Sequence, residues 1–323
     1  MKFLPPLPRK PPRNSRRRGF FLFLGILLCG ASSLGRDSRA HFFPKLQRGE
    51  SLEYEVHGRL DRIVKTESRI SSMRGPQQLQ GDLSARILLG IQEFRSRKHQ
   101  PWVAAQTQLL PAAGALPVPT SAKPLNITFD ILSTGQLGGV TGLDALSPEQ
   151  RLLWQFWVAR FAFGWTLPPQ GMKPGEKWKY DDPELDTSLI AELVWQREIT
   201  YARDDKCPVL PAETCAVFLT QSTLKQKSST KDSTPEDFRL HDLKTSGTAR
   251  GQNQVITYVS RKTGLVLRAT EDVQQSMDVT VMKTDGTNGV HYAVDATSHL
   301  ETLFVPQPAA LTNPPASNLP PAL

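Results

Sequence analysis

The 323-residue sequence lacks the short motifs that mark common catalytic sites. It has no Gly-rich loop of the kind that cradles phosphates, no Gly-x-Ser-x-Gly turn around a nucleophile and no His-Glu-x-x-His pair. Its six histidines are scattered without the spacing of metal ligands: His41, His57, His99, His241, His291 and His299. We therefore expect a protein that is not an enzyme and that holds neither a metal ion nor a cofactor.

Cysteine is also scarce, with three residues in the chain. Cys29 lies in an apolar N-terminal run, which leaves Cys207 and Cys215 for the rest of the protein. The segment between them contains two prolines and suits a turn between strands, so we expect a disulfide formed in an oxidising compartment. Two free thiols or half of a metal site are the alternatives, although no histidine or further cysteine lies nearby to complete a metal set.

No apolar run in the sequence is long enough to cross a bilayer comfortably, since a helical span needs about 20 apolar residues. The N-terminal run covers only residues 19–30. Basic residues precede it and the small residues 31–35 follow it. This order of basic, apolar and small residues is typical of a secretory signal, which we place at 1–40.

The sequence does not decide whether this segment is cleaved or retained. Cleavage after Gly35 or after Ala40 is one outcome. The other is retention of residues 19–35 as an inner-membrane anchor with its basic end in the cytoplasm. The general secretory and twin-arginine routes are both compatible with it. In each case we expect an exported protein, in the periplasm or elsewhere in the cell envelope.

Acidic residues are missing from the N-terminus, where Asp37 is the first. The chain has 39 Lys and Arg against 31 Asp and Glu, a net charge of +8. Residues 1–40 hold nine of the bases and one of the acids, which leaves 30 of each for the rest. The body is therefore neutral and lacks the basic surface that nucleic-acid binding requires.

What the body does contain is alternation of polar and apolar residues, as in 51–57 and 125–131, which is typical of strands with one buried face. Two patterns also recur. Gly-Glu followed by a tyrosine occurs at 49–54 and again at 175–180. An Ile-Thr-aromatic triplet leading into Thr-Gly begins at Ile127 and again at Ile256. The displacements, 126 and 129 residues, are nearly equal and indicate an internal duplication.

One strong helix separates the two copies. Ser147 is placed to cap it, Pro148 suits its first turn and Gln150 completes a capping box. The residues that follow are apolar on almost every side, so the helix near 148–163 is expected to be buried. The predicted fold is mainly β: a duplicated antiparallel sheet forming a barrel or half-barrel around this helix.

The predicted organisation has five parts. They are a signal peptide or anchor at 1–40, a first β unit at 41–146, the aromatic helix and connector at 147–168, a second β unit at 169–305, and a disordered Pro-rich tail at 306–323.

Four aromatic residues of the helix segment are the candidate binding residues: Trp154, Trp157, Phe161 and Trp165. They can line an apolar cavity that holds an acyl chain or another apolar ligand. The alternative is that they simply fill the core of the sheet, which is the commoner role of aromatics on a buried helix.

A resemblance rests on several of these features. The Gly-Glu start at 49–54, the strand at 127–129 running into Thr134-Gly135, the helix, and Lys-Pro-Gly-Glu-Lys-Trp at 173–178 resemble an uncharacterised family of exported bacterial β-rich proteins. This likeness covers most of 43–305. The layout is also similar to that of periplasmic lipoprotein carriers, whose curved half-barrel sheet wraps around helices and binds lipid. That second likeness is in layout alone, and no binding residue is carried over from it.

The sequence thus predicts a non-enzymatic envelope protein that binds a lipid or other hydrophobic ligand. The alternative is a structural or protein-interaction module of the envelope with a fully packed core. Expected partners are a hydrophobic ligand or an envelope protein, and the N-terminus is a possible membrane tether.

Overall fold

Strands make up most of the described chain. The computed structural model describes residues 39–68, 76–97, 100–111, 125–132, 134–183, 188–226 and 233–306. Eleven strands fall within these ranges: β1 Ser51–Ser68, β2 Gln77–Arg97, β3 Gln100–Pro111, β4 Leu125–Ile131, β5 Leu137–Thr141, β6 Lys177–Pro183, β7 Leu193–Lys206, β8 Thr214–Gln226, β9 Leu243–Ser260, β10 Val266–Lys283 and β11 Val290–Phe304. The helices there are α1 Pro148–Phe161, α2 Phe163–Thr166 and α3 Glu236–Leu240, with a 3-10 turn at Leu143–Ala145.

All these strands pair antiparallel in one sheet with the order β5-β4-β3-β2-β1-β11-β10-β9-β8-β7-β6. Its two edges, β5 and β6, do not pair with each other, so the sheet is open. The prediction of a mainly β half-barrel with a helix is confirmed. Strands β1 and β11, which come from opposite ends of the body, meet in the middle of the sheet.

The concave face is the one on which α1 lies. Along β1, Tyr54, Val56 and Leu60 point to this face and are buried, whereas His57 and Arg59 point to the convex face and are exposed. Because side chains alternate along a strand, every second residue of β1 lies on the concave side.

Two glycines of the concave face make room for α1. A Cβ atom at Gly58 would lie 3.0 Å from the side chain of Leu153. A Cβ atom at Gly81 would lie only 2.2 Å from the Cβ of Glu149. The first two turns of α1 therefore rest directly on the backbones of β1 and β2.

The predicted start of the helix is confirmed. The Ser147 hydroxyl accepts from the Gln150 amide at 3.2 Å, and the Gln150 side chain accepts from the Ser147 amide at 3.1 Å. This is the reciprocal capping box, with Pro148 in the first turn. The α1 helix ends at Phe161, and α2 continues after a break at Ala162.

The recurring Gly-Glu motif has the same hydrogen bonds in both copies. The Gly49 amide donates to the Ile91 carbonyl at 2.7 Å, and the Gly175 amide donates to the Tyr201 carbonyl at 2.6 Å. In return, the backbone carbonyl of the glutamate after each glycine accepts from the amide of that same partner, at 2.8 and 3.0 Å. Both glycines have positive φ, 81° and 87°. Just after each partner residue, the pairing with the following strand shifts register, between β2 and β3 in one case and between β7 and β8 in the other. The β1–β2 and β6–β7 hairpins are therefore built alike, although one continuous sheet includes both.

An N-terminal strap, residues 39–46, packs onto this body before β1 begins. The amide and carbonyl of Ala40 each form a 2.9 Å hydrogen bond with Met172. The Lys45 amide donates to the Thr263 carbonyl at 2.8 Å. Phe42 is buried between Tyr201 and Phe218, with ring centroids 5.3 and 4.9 Å away.

Three glycines admit the backbone of the strap. A Cβ atom at Gly164, Gly171 or Gly264 would lie 2.5–2.6 Å from a carbonyl oxygen of residues 40–43. No other residue type would leave that space, so the strap is an integral part of the packing.

The predicted signal or anchor, apart from its last two residues, and the Pro-rich tail beyond residue 306 lie outside the described residues. Among the residues that are described, no helix has both the length and the apolar character needed to cross a membrane. The predicted unit boundaries stay a prediction.

Candidate functional site

The predicted disulfide is present. The Sγ atoms of Cys207 and Cys215 are bonded, and their Cα atoms lie 5.0 Å apart. The bridge closes the turn between β7 and β8, where the Cys207 amide also donates to the Glu213 carbonyl at 3.1 Å. Both cysteines are buried, so the turn is fixed to the core beneath it.

The four candidate aromatic residues lie together in the core. Their side chains form a row along α1 and α2, with successive ring centroids 6.4, 6.2 and 5.9 Å apart from Trp154 through Trp157 and Phe161 to Trp165. Their exposed fractions are 0, 0, 1 and 5%. The row packs edge-on against Phe129 and Tyr54 of the sheet. In this state the four residues fill the interior.

Polar atoms of this aromatic row lack partners. Within the described part of the chain, the indole nitrogens of Trp154, Trp157 and Trp165 and the hydroxyl of Tyr54 form no hydrogen bond. Burial, and then the charge of Glu50, raise the pKa of Tyr54, so this hydroxyl stays protonated. A buried polar group without a partner costs about 1–3 kcal/mol. The interior is therefore not purely apolar and retains unused hydrogen-bonding capacity.

A belt of polar side chains, which the sequence analysis missed, crosses the concave face beside the row. We call Arg160, Arg197, Ser222, Asn253 and Glu271 the concave polar belt. The Nε atom of Arg160 lies 3.3 Å from the Glu271 carboxylate, and both side chains are at most 6% exposed. The amide of Asn253 donates to the same carboxylate at 2.6 Å. Arg160 thus fastens the apolar α1 helix to the sheet through a buried ion pair.

The second arginine of the belt, Arg197, is a residue of strand β7. The Arg197 guanidinium donates to Asp182 at 2.8 Å and to the Ser222 hydroxyl at 3.3 Å. Burial alone would lower the pKa of Arg197, but the nearby Tyr180, Asp182 and Glu271 raise it. The arginine therefore stays charged.

The signal in the sequence for this belt was Arg160, a charged residue near the end of a helix whose middle is almost entirely apolar. In the described chain, no group of three or more His, Cys, Asp or Glu side chains is arranged to hold a metal ion.

Beyond the belt, the long strands extend past the helix and leave part of the concave face open. We call this region the distal concave surface. From Leu60 to Thr66, β1 continues for about 20 Å at ~3.3 Å per residue. The side chains here are only partly buried: Arg62 and Val64 of β1, Leu79 of β2, Met277 of β10, and Tyr292, Val294 and Ala296 of β11.

Comparison with known proteins gives little. No protein-family model and no curated protein matches the sequence. A Parabacteroides distasonis protein described as a lipoprotein is 9% identical, covers 79% of this chain and 97% of its own, and has a TM-score of 0.22. The outer membrane protein OprG from Pseudomonas aeruginosa is 8% identical, covers 81% of this chain and 100% of its own, and has a TM-score of 0.19. At these scores neither likeness bears on the fold or the function.

Proposed function

We propose that this is an exported, non-enzymatic protein of the cell envelope that binds a lipid or other hydrophobic ligand within its half-barrel. The observation that carries the proposal is the distal concave surface. Contiguous apolar surface on a soluble protein commonly marks a binding site. Here it lies on the inner side of a curved sheet, where a ligand is surrounded on more than one side.

The register explains why this surface is apolar. Val64 pairs with Val294 on β11, and Val294 pairs with Met277 on β10. Paired residues of antiparallel strands point to the same face, so these three side chains form a row across the sheet. Leu79 and Tyr292 flank the row on the neighbouring pairs. An acyl chain lying across this row would cover side chains that are now half-exposed.

In this proposal the four aromatic residues take the core-filling role that was the alternative to ligand binding at the level of sequence. They form the packed wall at the inner end of the half-barrel, behind the concave polar belt. A ligand would reach Trp154 or Trp157 only after α1 moved away from the sheet.

Two adjacent residues of β1 allow a sharp test. Val64 points to the concave face, whereas Ile63 points to the convex face and is 42% exposed. The Val64→Glu variant should bind a fluorescent long-chain lipid probe about 10-fold more weakly or worse, because ligand binding would have to desolvate a carboxylate within the apolar row. The Ile63→Glu variant should bind like the wild type.

Native mass spectrometry and solvent extraction of the exported protein provide the direct measurement. A co-purifying lipid, or displacement of the probe by lipid, supports the proposal. Protein that is free of lipid and that binds no hydrophobic probe overturns it.

A second candidate is a structural or protein-interaction module. Two observations favour it: the complete burial of the aromatic row, and a pair of exposed apolar residues on the convex face. Leu219 and Ile256 face each other across β8 and β9 and are 43% and 45% exposed. If they contact a protein partner, a Leu219→Glu/Ile256→Glu variant should lose a cross-linked complex that the wild type forms in its native envelope. Unchanged cross-linking would count against this candidate.

A further inference from the structure

One arginine of the distal concave surface differs from the other buried arginines. Among the described arginines whose side chains are partly or fully buried, four have a hydrogen-bond or ion-pair partner, and Arg62 has neither. The partners of the four are the Leu146 carbonyl for Arg151, Glu271 for Arg160, Asp182 for Arg197 and Glu301 for Arg268. A half-buried charge without a partner loses hydration and gains nothing in return.

The surroundings of Arg62 are apolar. On its own strand it lies between the concave residues Leu60 and Val64. It pairs with Leu79 on β2 and with Ala296 on β11. Glu149, which packs over Gly81, forms no ion pair with it in the described structure. The positive charge is therefore set into the apolar surface that we propose as the ligand site.

A second unused donor lies in the same row. Gln275 on β10 pairs with Ala296, so Arg62, Ala296 and Gln275 cross three neighbouring strands on one face. The side-chain nitrogen of Gln275 is buried and has no hydrogen-bond partner. Neighbouring strands lie about 4.8 Å apart, so the two donors flank the small side chain of Ala296 across about 10 Å. Their long side chains can converge on one group placed over that alanine.

We propose that Arg62 and Gln275 bind the anionic head of an amphipathic ligand whose chain lies on the distal concave surface. This inference rests on the proposed function and names the ligand class. A carboxylate or phosphate oxygen accepts from both the guanidinium and the carboxamide, and charge-assisted bonds of this kind are the strong ones. The apolar row of Val64, Val294 and Met277 lies one step further along the strands and receives the chain.

Three probes separate the possible results: hexadecanoate, its neutral methyl ester, and a phosphatidic acid with the same chains. We expect hexadecanoate or phosphatidic acid to bind at least about 10-fold more tightly than the methyl ester. The tighter of the two anions identifies whether the head is a carboxylate or a phosphate. In the Arg62→Gln variant the preference for the anion should disappear while binding of the ester persists.

Two further variants control for structural effects. Arg59→Gln removes a convex arginine three positions away, which is paired with Asp61, and should leave the anion preference intact. Gln275→Leu removes a buried donor without a partner, so thermal stability should be kept or raised while anion affinity falls. A purely structural role for Gln275 would not give these opposite changes.

Failure of the head-group inference and failure of the proposed function give different results. Equal affinity for the acid and the ester, unchanged by Arg62→Gln, overturns the head-group inference and leaves hydrophobic binding in place. Binding of none of the three probes overturns the proposed function and this inference with it.

Discussion

Arg39 donates two hydrogen bonds to the carboxylate of Glu176, at 2.7 and 2.9 Å. Glu176 belongs to the second Gly-Glu turn, and its carboxylate also accepts from the Lys173 amide at 3.1 Å. In the first copy, Glu50 likewise accepts from the Gln47 amide, at 2.8 Å. The same turn is thus used twice, and in the second copy it also holds the N-terminal strap.

The contacts of the strap predict how the position of the N-terminus affects the free energy of unfolding. A chain that begins at Arg39 keeps the contacts to Glu176 and Met172, whereas one that begins at His41 loses them. The ion pair is partly exposed and contributes up to about 1 kcal/mol, and each backbone hydrogen bond about 1 kcal/mol. The shorter chain should therefore unfold at lower urea concentration.

The stabilities of these two chains also concern the site at which the signal segment is cleaved. Cleavage after Gly35 preserves the strap, and cleavage after Ala40 removes two of its residues. N-terminal sequencing of the exported protein distinguishes the two. Equal stability of the two chains would show that the strap contacts contribute nothing measurable.

The buried pair of Arg160 and Glu271 should behave differently from a surface ion pair. Replacing either residue alone by alanine leaves the other charge buried without its counter-ion, which costs about 3–5 kcal/mol in the free energy of unfolding. Replacing both, as Arg160→Met with Glu271→Leu, should restore most of that loss. Urea unfolding of the three variants measures it. A double variant as unstable as the sum of the single ones would contradict this account.

The disulfide should stabilise the protein by lowering the conformational entropy of the unfolded chain. For a loop this short, the chain-entropy model gives about 2–3 kcal/mol. A Cys207→Ala/Cys215→Ala variant should lose that amount of unfolding free energy, and reductant should lower the stability of the wild type but not of the variant. A reductant effect on the variant would point to another cause.

The charge cluster at the β6 edge predicts a pH dependence. Hydrogen bonds from Lys177 and Lys179 lower the pKa of Glu198 from 4.5 to about 2. A carboxylate whose pKa is lower in the folded than in the unfolded chain stabilises the fold above the unfolded value. That contribution is lost as the pH falls from about 4.5 towards 2.

Melting curves of the wild type and Glu198→Gln measure this contribution. The wild type should melt at the higher temperature at pH 7, and the difference should shrink below pH 4.5. In a Lys177→Gln/Lys179→Gln background, the same substitution should have little effect at any pH. A difference that grows on acidification would contradict the assignment.

Local features of the fold were predictable, because their causes lie within a few residues of each other. The capping box at Ser147 and Gln150 specifies where α1 begins. The alternation at 51–57 reveals β1, and the spacing of Cys207 and Cys215 indicates a bridged turn. Each depends on contacts between residues close in sequence.

Features set by distant contacts were not predictable. Beyond Leu60, β1 leaves the core and its alternation ends, so its extension to Ser68 has no local signal. The short strand β5 contains Gly138 and Gly139, which are poor strand formers. Arg160 and Glu271 are far apart in sequence, and only the folded sheet brings them together. The open concave surface follows from this same extension of the strands.

The central position of β1 beside β11 has a consequence for how the protein is made. Tyr54 pairs with Phe304, so the middle of the sheet exists only once β11 has been synthesised. Until then, the two halves of the nascent chain carry unpaired strand edges, which attract other chains. Folding that waits for such a non-local pairing is slow. We therefore expect the newly made chain to depend on a holding chaperone, and deletion of β11 to yield aggregates rather than a smaller soluble half-barrel.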